Sequence, residues 1–481
     1  MKRQILLLFL SCTILYTCAP EKIADAGALV IENVSIIDPV NGQKDKQTVI
    51  ISNGKIQQVL PSADYASTEA DTLIDGSGKF LIPGLWDAHV HFAYIEELAP
   101  KMFNLFLGYG ITSVRDTGGK IKVTKFWKDK AKANPKKAPR VMIAGPLLDG
   151  EPNVYDGSSP LVPELSVGLE TVEDAVKMVD ELDSIGVDLL KAYEMLSPEQ
   201  FLAIMDRAKE KGLKVTGHIP LSMDVITASN AGLHSMEHMR NIELSTATNM
   251  EALLAQRRKL LFDGQNDPGN ILRTRIHEAQ RYAAVRNQDE AQTQKVIEAL
   301  ARNNTWQNPT LTLGFAPVER PFERPEWQAS FEYLPEQVRK NWKEGIETYA
   351  ATKVSEDRKV YRKWFSEIAY KLHEGGVTLM SGTDTPIFFL TPGLSLHEEL
   401  INMVKIGLSP KEALATATTH PAKYFDMEEE LGLVQTGMWA DLILLDANPL
   451  EDISNTQKIN TVIKQGAVYD RSALDQLLAE N

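Results

Sequence analysis

Residues 81–92, LIPGLWDAHVHF, carry the pattern that decides the fold. A Pro83-Gly84 turn precedes a run in which His89 and His91 stand two residues apart, so both imidazoles point to the same face of an extended strand. Imidazoles in an apolar strand are costly to bury unless a partner satisfies them. The pair therefore indicates a metal site, and a structurally satisfied histidine pair is the open alternative.

The composition places the chain among ordinary globular proteins. Its 481 residues are 43% hydrophobic and 24% charged, which favours a large domain with a smaller companion and gives no sign of disorder. The formal net charge is −14, and no window concentrates Lys and Arg with aromatic residues. Because a polyanion would be repelled, we predict that the chain binds a small molecule and no nucleic acid.

The first residues have the pattern of a targeting segment. Basic residues precede an apolar run that is too short for a membrane span, which predicts a signal peptide over residues 1–18. Both cysteines of the chain, Cys12 and Cys18, lie in this segment. Residues 15–18 resemble a bacterial lipobox, which predicts a lipid anchor at Cys18; modification at Cys12 and simple cleavage are the alternatives. In each case we expect export to the periplasm or anchoring in a bacterial cell envelope.

The remaining chain shows two kinds of sequence pattern. Residues 28–83 and 426–472 contain short β-type runs with turn signals, so we predict that both terminal segments form one small β-sandwich domain. Residues 84–425 alternate strand-like runs with helical stretches, which predicts an α/β fold, a (β/α)8 TIM barrel with its active site at the C-terminal strand ends. The eight predicted strands are 81–90, 111–115, 140–144, 188–193, 214–219, 234–239, 306–313 and 377–381.

Two helical stretches interrupt the barrel pattern. One, at about 240–305, is an insertion whose charged residues we expect at the solvent, namely Glu278, Arg281, Arg286 and Glu290. The other, 323–365, follows the seventh predicted strand. Both leave the catalytic face, so they could shape the pocket or serve as structural padding.

Metal-ligating residue types recur at the ends of the later predicted strands. Strand four ends near Lys191, strand five at His218, strand six at His238, and Asp384 follows strand eight. Taken alone, the lysine could reach solvent and each histidine could be structural. Nine histidines scattered over 481 residues would not gather at strand ends in this way, so we interpret the set as one site.

This order of residues resembles the binuclear metal centre of the amidohydrolase superfamily. The sequence motifs around these residues also resemble those of the superfamily, namely PGLWDAHVHF, GITSVRDTGG, VTGHIP, SMEHM and SGTDTP. The chain is most similar to the imidazolonepropionase-like and Xaa-Pro-dipeptidase-like branch. The resemblance covers about residues 28–470 and is weakest in the insertion.

The resemblance implies two divalent metal ions. Six residues would hold them: His89, His91 and Asp384 at the buried ion, His218 and His238 at the exposed ion, and Lys191 between the two. The lysine would act as a carbamate formed with carbon dioxide, because an amine cannot join two cations and a carbamate offers two anionic oxygens. Histidine and carboxylate ligands favour Zn²⁺, with Mn²⁺ or Co²⁺ as alternatives.

The resemblance also implies hydrolysis of a C–N bond by a hydroxide that bridges the metals, with Asp384 moving the proton to the leaving amine. Dipeptides or N-acyl amino acids are the expected substrates. A cyclic amide or imide, a lactone, or ring deamination is the alternative, although Lys191 argues against a deaminase. A surface protein that binds without catalysis is a remote alternative, since all six ligand positions are filled.

Three further residues are weaker candidates for substrate contact. Tyr193 follows Lys191, His234 shares a predicted strand with His238, and Arg115 ends predicted strand two. For each, packing or an internal ion pair is an open alternative. The remaining histidines are expected to be structural or exposed, namely His277, His373, His397 and His420. The sequence leaves open whether the chain forms a homo-oligomer.

Overall fold

The computed structural model describes residues 27–67 and 72–480. The predicted signal segment, with Cys12 and Cys18, lies outside the described residues. Within these two ranges, no helix combines the length and the apolar character needed to cross a bilayer.

Strands and helices alternate through most of the described chain. The strands are β1 (Leu29–Asp38), β2 (Gly42–Ser52), β3 (Lys55–Pro61), β4 (Thr72–Asp75), β5 (Phe80–Pro83), β6 (Leu85–Val90), β7 (Ile111–Asp116), β8 (Arg140–Ile143), β9 (Leu147–Gly150), β10 (Asp156–Ser159), β11 (Val162–Glu164), β12 (Ser166–Leu169), β13 (Leu189–Ala192), β14 (Lys214–Gly217), β15 (Ser235–Glu237), β16 (Trp306–Asn308), β17 (Leu442–Leu445), β18 (Ile459–Lys464) and β19 (Ala467–Asp470). The α-helices are α1 (Ala99–Gly108), α2 (Ile121–Ala133), α3 (Val172–Ile185), α4 (Pro198–Lys211), α5 (Val225–Asn230), α6 (Ile242–Ser245), α7 (Met250–Asp263), α8 (Gly269–Arg286), α9 (Glu290–Arg302), α10 (Leu311–Glu319), α11 (Pro325–Ala329), α12 (Glu336–Ala350), α13 (Glu356–Glu374), α14 (Leu394–Ile406), α15 (Pro410–Thr416), α16 (Thr419–Tyr424) and α17 (Arg471–Ala479). Short 3-10 helices lie at Ser62–Asp64, Pro321–Glu323, Ser330–Tyr333, Ile387–Phe389 and Ile453–Gln457.

Both terminal segments contribute strands to one eight-stranded sheet. Its order is β19-β18-β17-β5-β1-β2-β3, and β4 also pairs with β1. Side chains from both segments share an apolar core that includes Ile31, Val49, Leu444 and Ile463. The turn before β3, at Gly54, packs against the turn between β18 and β19 at Gln465. The predicted small β domain is thus one hydrogen-bonded sheet built from both terminal segments.

Eight parallel segments form the predicted barrel. Strands β6, β7 and β8 pair in that order, and β13, β14, β15 and β16 pair in theirs. The Asp188 N–H donates to the Ile143 carbonyl (2.9 Å) and joins these two groups. The eighth segment forms a parallel bridge to β16 at Leu379, and its Ser381 carbonyl accepts the Ala88 N–H (2.9 Å), which closes the ring onto β6.

The last two barrel segments are shorter than predicted. Strand β16 ends at Asn308, and the predicted continuation to residue 313 is wrong because Pro309 has no N–H for the ladder and α10 begins at Leu311. The predicted strand at 377–381 is reduced to the bridge at Leu379. Both departures lie at the catalytic face, where the chain leaves the barrel to build the site.

Local sequence signals set the helix and strand alternation, as α4 shows. The Ser197 hydroxyl accepts the Gln200 N–H (3.1 Å), and the Gln200 side chain accepts the Ser197 N–H (2.9 Å), which forms a capping box. Gly212 ends the helix in the left-handed region (φ 70°). Because β14 begins two residues later, these caps fix where the strand starts and hence where His218 emerges.

A buried ion pair connects the sheet to the start of the barrel. Lys464 Nζ lies 2.7 Å from Asp441 Oδ2, and the two side chains are 1% and 2% exposed. The Asp441 carbonyl accepts the Gly84 N–H (2.7 Å) directly before β6. The pair therefore holds the first barrel strand in register with the terminal sheet.

We predict that Lys464→Met lowers the free energy of unfolding by roughly 3 kcal/mol, because it leaves the buried Asp441 carboxylate uncompensated. Arg140 Nη2, 3.7 Å from the same carboxylate oxygen, should compensate only in part. Urea denaturation followed by circular dichroism measures the change. The double variant Lys464→Met/Asp441→Asn should recover much of the loss, and a single variant as stable as the wild type would contradict the prediction.

Candidate active site

The structure brings three predicted ligands to one point at the C-terminal end of the barrel. One ligand atom from each of His89, His91 and Asp384 lies within 4.8 Å of the other two. The Nε2 atoms of the histidines are 3.2 Å apart, and Asp384 Oδ1 lies 3.2 Å from the first and 3.0 Å from the second. All three side chains are buried.

The other predicted ligands lie beside this group. His238 Nε2 is 3.5 Å from Asp384 Oδ2, so the two oxygens of the carboxylate face different histidines. The His218 ring centre is 4.9 Å from that of His238. Lys191, 1% exposed, lines the same cavity. The six residues that the sequence placed at one site are therefore together in the fold.

The four histidines share one arrangement, in which Nδ1 binds an oxygen and Nε2 faces the cluster. The partners of Nδ1 are Glu237 Oε2 for His89 (2.6 Å), the Gly118 carbonyl for His91 (2.7 Å), Glu194 Oε1 for His218 (2.6 Å) and Thr310 Oγ1 for His238 (2.6 Å). Carboxylate and carbonyl oxygens accept, and the Thr310 hydroxyl already donates to the Pro309 carbonyl, so Nδ1–H is the donor in each case. Each Nε2 therefore presents a lone pair.

This arrangement fits a divalent cation. Asp384 Oδ1 is buried without a hydrogen-bond donor among the described residues, although two Nε2 atoms lie near it. Three lone-pair atoms about 3 Å apart repel one another unless a cation lies between them. Neutral imidazole and carboxylate are the donor set that zinc binds. Members of this cluster could therefore hold a metal ion.

Burial and neighbouring charge set the protonation of the cluster. Burial lowers the pKa of His218 to about 3 and that of His238 well below its ordinary value, which keeps both rings neutral. Burial lowers the pKa of Lys191 to about 8. A larger fraction of this side chain is therefore the neutral amine near neutral pH than for a surface lysine.

Two of the predicted ligands occupy unusual backbone conformations. His238 (φ 58°) and Asp384 (φ 64°) lie in the left-handed region, which costs side-chain-bearing residues about 1–3 kcal/mol and is concentrated at functional sites. The Asp384 N–H donates to the His89 carbonyl (2.8 Å), which fixes the turn against β6. The turn needs Gly382, because a Cβ there would lie 2.7 Å from the His89 backbone nitrogen.

Arg115, predicted to contact substrate, instead supports the ligands from beneath. It is fully buried, and its Nη2 donates to Glu237 Oε1 at 2.7 Å, while Thr216 donates to the same carboxylate. Arg115 holds the pKa of Glu237 well below its usual range despite burial, so a carboxylate faces His89. Arg115 is absent from the described residues that line the cavity, and the prediction of substrate contact is corrected.

His234 also departs from its predicted role. It precedes β15 at the opposite end from His238, where its Nδ1 accepts the Val215 N–H at 3.1 Å. Among the described residues it is not part of the cavity wall. Tyr193, in contrast, does line the cavity, with its ring centre 4.4 Å from that of His218, and it stays a candidate for substrate contact.

Sequence reasoning missed a second supporting carboxylate, Glu194. It accepts hydrogen bonds from His218 Nδ1 (2.6 Å), His277 Nε2 (2.6 Å) and Arg273 Nη2 (3.0 Å). His277 is buried, as expected of a structural residue, and it contacts the same Glu194 carboxylate that binds the predicted ligand His218. A charged residue at the end of the apolar run LLKAYE was the available signal for Glu194.

The other histidines expected to be structural or exposed lie away from the cavity. His397 bridges the Tyr109 carbonyl and Thr456, each at 2.9 Å. His420 Nδ1 lies 2.7 Å from the Leu379 carbonyl, and His373 is 3.6 Å from a surface carboxylate.

A cavity of about 420 Å³ opens above the cluster. Its size falls within the range of about 300–1,000 Å³ found for small-molecule sites. The 240–305 insertion contributes four lining residues, Arg240, Arg273, Arg281 and Tyr282. The later helical stretch contributes four more, Tyr349, Arg358, Tyr361 and Phe365. Both stretches therefore shape the pocket, and the prediction that Arg281 faces solvent is wrong.

A family model described as the amidohydrolase family matches residues 80–256 and 366–468, more than half of the chain. The chain belongs to the amidohydrolase family. It is 34% identical over 98 residues to an imidazolonepropionase of Idiomarina loihiensis, a match that covers 20% of this chain and 24% of that protein. Because so little of that relative is matched, its activity is not carried over.

Solved structures of this family share the fold along almost the whole chain. A Xaa-Pro dipeptidase with bound methionine superposes with a TM-score of 0.66 at 20% identity, covering 92% of this chain and 100% of the other. The bottromycin amidohydrolase gives 0.70 at 21% identity, covering 94% and 88%. These likenesses confirm the predicted barrel with an additional domain.

We predict that Glu237→Gln weakens metal binding by about 10–100-fold, because the carboxylate that orients and polarises His89 is lost. Competition with a chromogenic chelator measures the metal affinity. The control is Glu399→Gln, a buried glutamate that accepts the Leu311 and Thr312 N–H groups and contacts none of the four site histidines among the described residues. Equal affinity in Glu237→Gln and the wild type would contradict the prediction.

Proposed function

We propose that this member of the amidohydrolase family is a binuclear metal-dependent hydrolase that cleaves the amide C–N bond of a dipeptide or an N-acyl amino acid. The observation that carries the proposal is the convergence of four Nε2 atoms, the Asp384 carboxylate and Lys191 on the floor of a cavity of small-molecule size. Metal ions held there would polarise the substrate carbonyl and lower the pKa of the attacking water.

The ligand residues divide into two groups around Asp384. His89, His91 and Oδ1 of Asp384 would hold one ion. His218 and His238, which lie on the side of Oδ2, would hold the second. This division supports two ions and Zn²⁺ as the metal, since neutral nitrogen and carboxylate donors dominate.

Lys191 would join the two groups as a carbamate. Its amine nitrogen would bond to the carbon of carbon dioxide and lose one proton, which converts a potential cation into an anion with two oxygens. Burial at the strand end supports this role, because a buried ammonium among cations would be strongly disfavoured.

Asp384 is the residue best placed to move the proton. Its carboxylate lies on the cavity floor, and it can take the proton of the attacking water and return it to the leaving nitrogen.

We also infer export for this protein, from the pattern of residues 1–18 and the lipobox at Cys18. Detergent partitioning of the full chain and its Cys18→Ala variant, after labelling with a fatty acid, tests the anchor. Label that persists in Cys18→Ala but is lost in Cys12→Ala would move the anchor to the alternative cysteine.

We predict that a soluble form beginning at Pro20 binds about two equivalents of zinc and that chelation abolishes amide hydrolysis. Lys191→Ala and Asp384→Asn should each lose activity by at least about 100-fold. In Lys191→Ala, added acetate should restore part of the activity, because a small carboxylate can supply the two missing oxygens. Elemental analysis and a dipeptide and N-acyl amino acid library provide the measurements.

The matched control is Lys214→Ala, a lysine that begins β14 at the opposite end of the barrel and pairs with Asp426 (2.7 Å). It should retain full metal content and activity. One equivalent of metal or fewer, or activity indifferent to Lys191, would contradict the carbamate-bridged centre and favour a ring deaminase or a binding protein.

A further inference from the structure

The cavity wall is strongly cationic away from the metal cluster. Among the described lining residues, Asp384 is the single carboxylate, and it belongs to the cluster. Four arginines line the same cavity, namely Arg240, Arg273, Arg281 and Arg358. In a partly enclosed cavity such charges are screened less than at the surface, so the wall favours an anionic group.

Two of the arginines already have partners. Arg273 Nη2 donates to Glu194 Oε1 at 3.0 Å, which compensates its charge and supports His218. Arg358 Nη1 donates to the Tyr349 hydroxyl at 2.9 Å. Arg273 Nε is also buried without a hydrogen-bond partner among the described residues, but the Glu194 carboxylate already compensates this guanidinium.

Arg240 and Arg281 hold buried donor groups without a partner in the described part of the chain. The unpaired groups are Nε of Arg240 and both Nε and Nη2 of Arg281. The nearest carboxylates are too far for hydrogen bonds, with Arg240 Nε 4.0 Å from Glu194 and Arg281 Nε 3.7 Å from Glu243. One side of each guanidinium thus faces a buried carboxylate, and both residues also line the cavity, where an anionic group would compensate the remaining positive charge.

The position of these two arginines relates the anion to the scissile bond. Arg240 follows the predicted ligand His238 by two residues, so its side chain enters the cavity beside the metal cluster. Arg281 lies on α8, with its guanidinium 5.3 Å from the ring centre of Tyr361. An anion held by this pair would lie close to an amide bound at the cluster.

We propose that the substrate is an N-acyl amino acid whose free carboxylate binds Arg240 and Arg281. The inference rests on the hydrolase function proposed above and selects between its two substrate classes. A dipeptide carries an ammonium on its acyl side, and among the described lining residues no carboxylate outside the cluster could receive it. Glu243 is 1% exposed and is not among those lining residues.

The apolar part of the wall fits the uncharged acyl group. Phe365, Phe388, Leu313 and Ile387 line the cavity together with several tyrosines. Hydrolysis would break the amide C–N bond, with the water oxygen joining the acyl carbon to give a carboxylate. The water's protons would pass to the nitrogen of the released amino acid, through Asp384 in part.

Three compounds that differ in one group test the proposal on the zinc-loaded enzyme. N-propionyl-phenylalanine has the carboxylate and a neutral acyl group. Glycyl-phenylalanine replaces the terminal methyl group with an ammonium, and N-propionyl-phenethylamine lacks the carboxylate. We predict that kcat/KM falls by about 10-fold or more for the dipeptide and about 100-fold for the compound without carboxylate, since charge-assisted hydrogen bonds are lost.

Variants assign the effect to the proposed arginines. Arg281→Met and Arg240→Met should raise KM for N-propionyl-phenylalanine about tenfold and reduce the preference for it over N-propionyl-phenethylamine. The control is Arg275→Met on the same helix, because Arg275 is half exposed and pairs with Asp267 at 2.7 Å. It should keep the wild-type preference.

The outcomes separate this inference from the proposed function. Equal kcat/KM for the three compounds, or faster cleavage of glycyl-phenylalanine, would overturn the N-acyl amino acid proposal and leave amide hydrolysis in place. If none is cleaved, calorimetry with N-propionyl-phenylalanine decides. Binding that Arg281→Met weakens would support the carboxylate site while the hydrolase function fails, and no binding would overturn both.

Discussion

The hydrogen bonds to Nδ1 of the four site histidines are the interactions on which the rest of the site depends. Each one fixes the tautomer and the ring orientation, so that four Nε2 lone pairs converge at the end of the barrel. Without these acceptors a buried imidazole could rotate or take up a proton, and the cluster would cease to favour a cation. The need to hold each acceptor in place explains why Glu237 is buried against Arg115 and Glu194 against Arg273.

The predicted ligands were accessible from the sequence because their spacing is a local property of strands. His89 and His91 share a strand face by their separation alone, and a barrel gathers the ends of its strands. The residues that accept the Nδ1 hydrogen bonds were harder to predict from the sequence. The contacts of Glu237 and Glu194 with the histidines form only when strands distant in sequence lie side by side. Arg115 shows the same limit, since a charged strand end gives no sign of whether it meets substrate or another buried charge.

The two helical stretches show where the sequence pattern is least informative. The residue types of the 240–305 insertion indicate helices, but a surface helix and a helix over a cavity have the same periodicity. Arg281 is nevertheless in the cavity wall, whereas its neighbours Glu278 and Arg286 on α8 are exposed. Only the packing of α8 against the catalytic face separates these positions.

Helix α8 contacts both the histidine cluster and the cavity wall. Through His277 and Arg273 it holds Glu194, and thereby His218, while Arg281 from the same helix lines the cavity. A shift of this helix would therefore move the supports of His218 and the cationic wall together. Under the proposed function the cluster would polarise any amide that reached it, so selectivity would come from the walls that the insertions add. With both contacts on one helix, the anion of the proposed substrate would lie at a fixed distance from His218, and this distance would decide which amides reach the cluster.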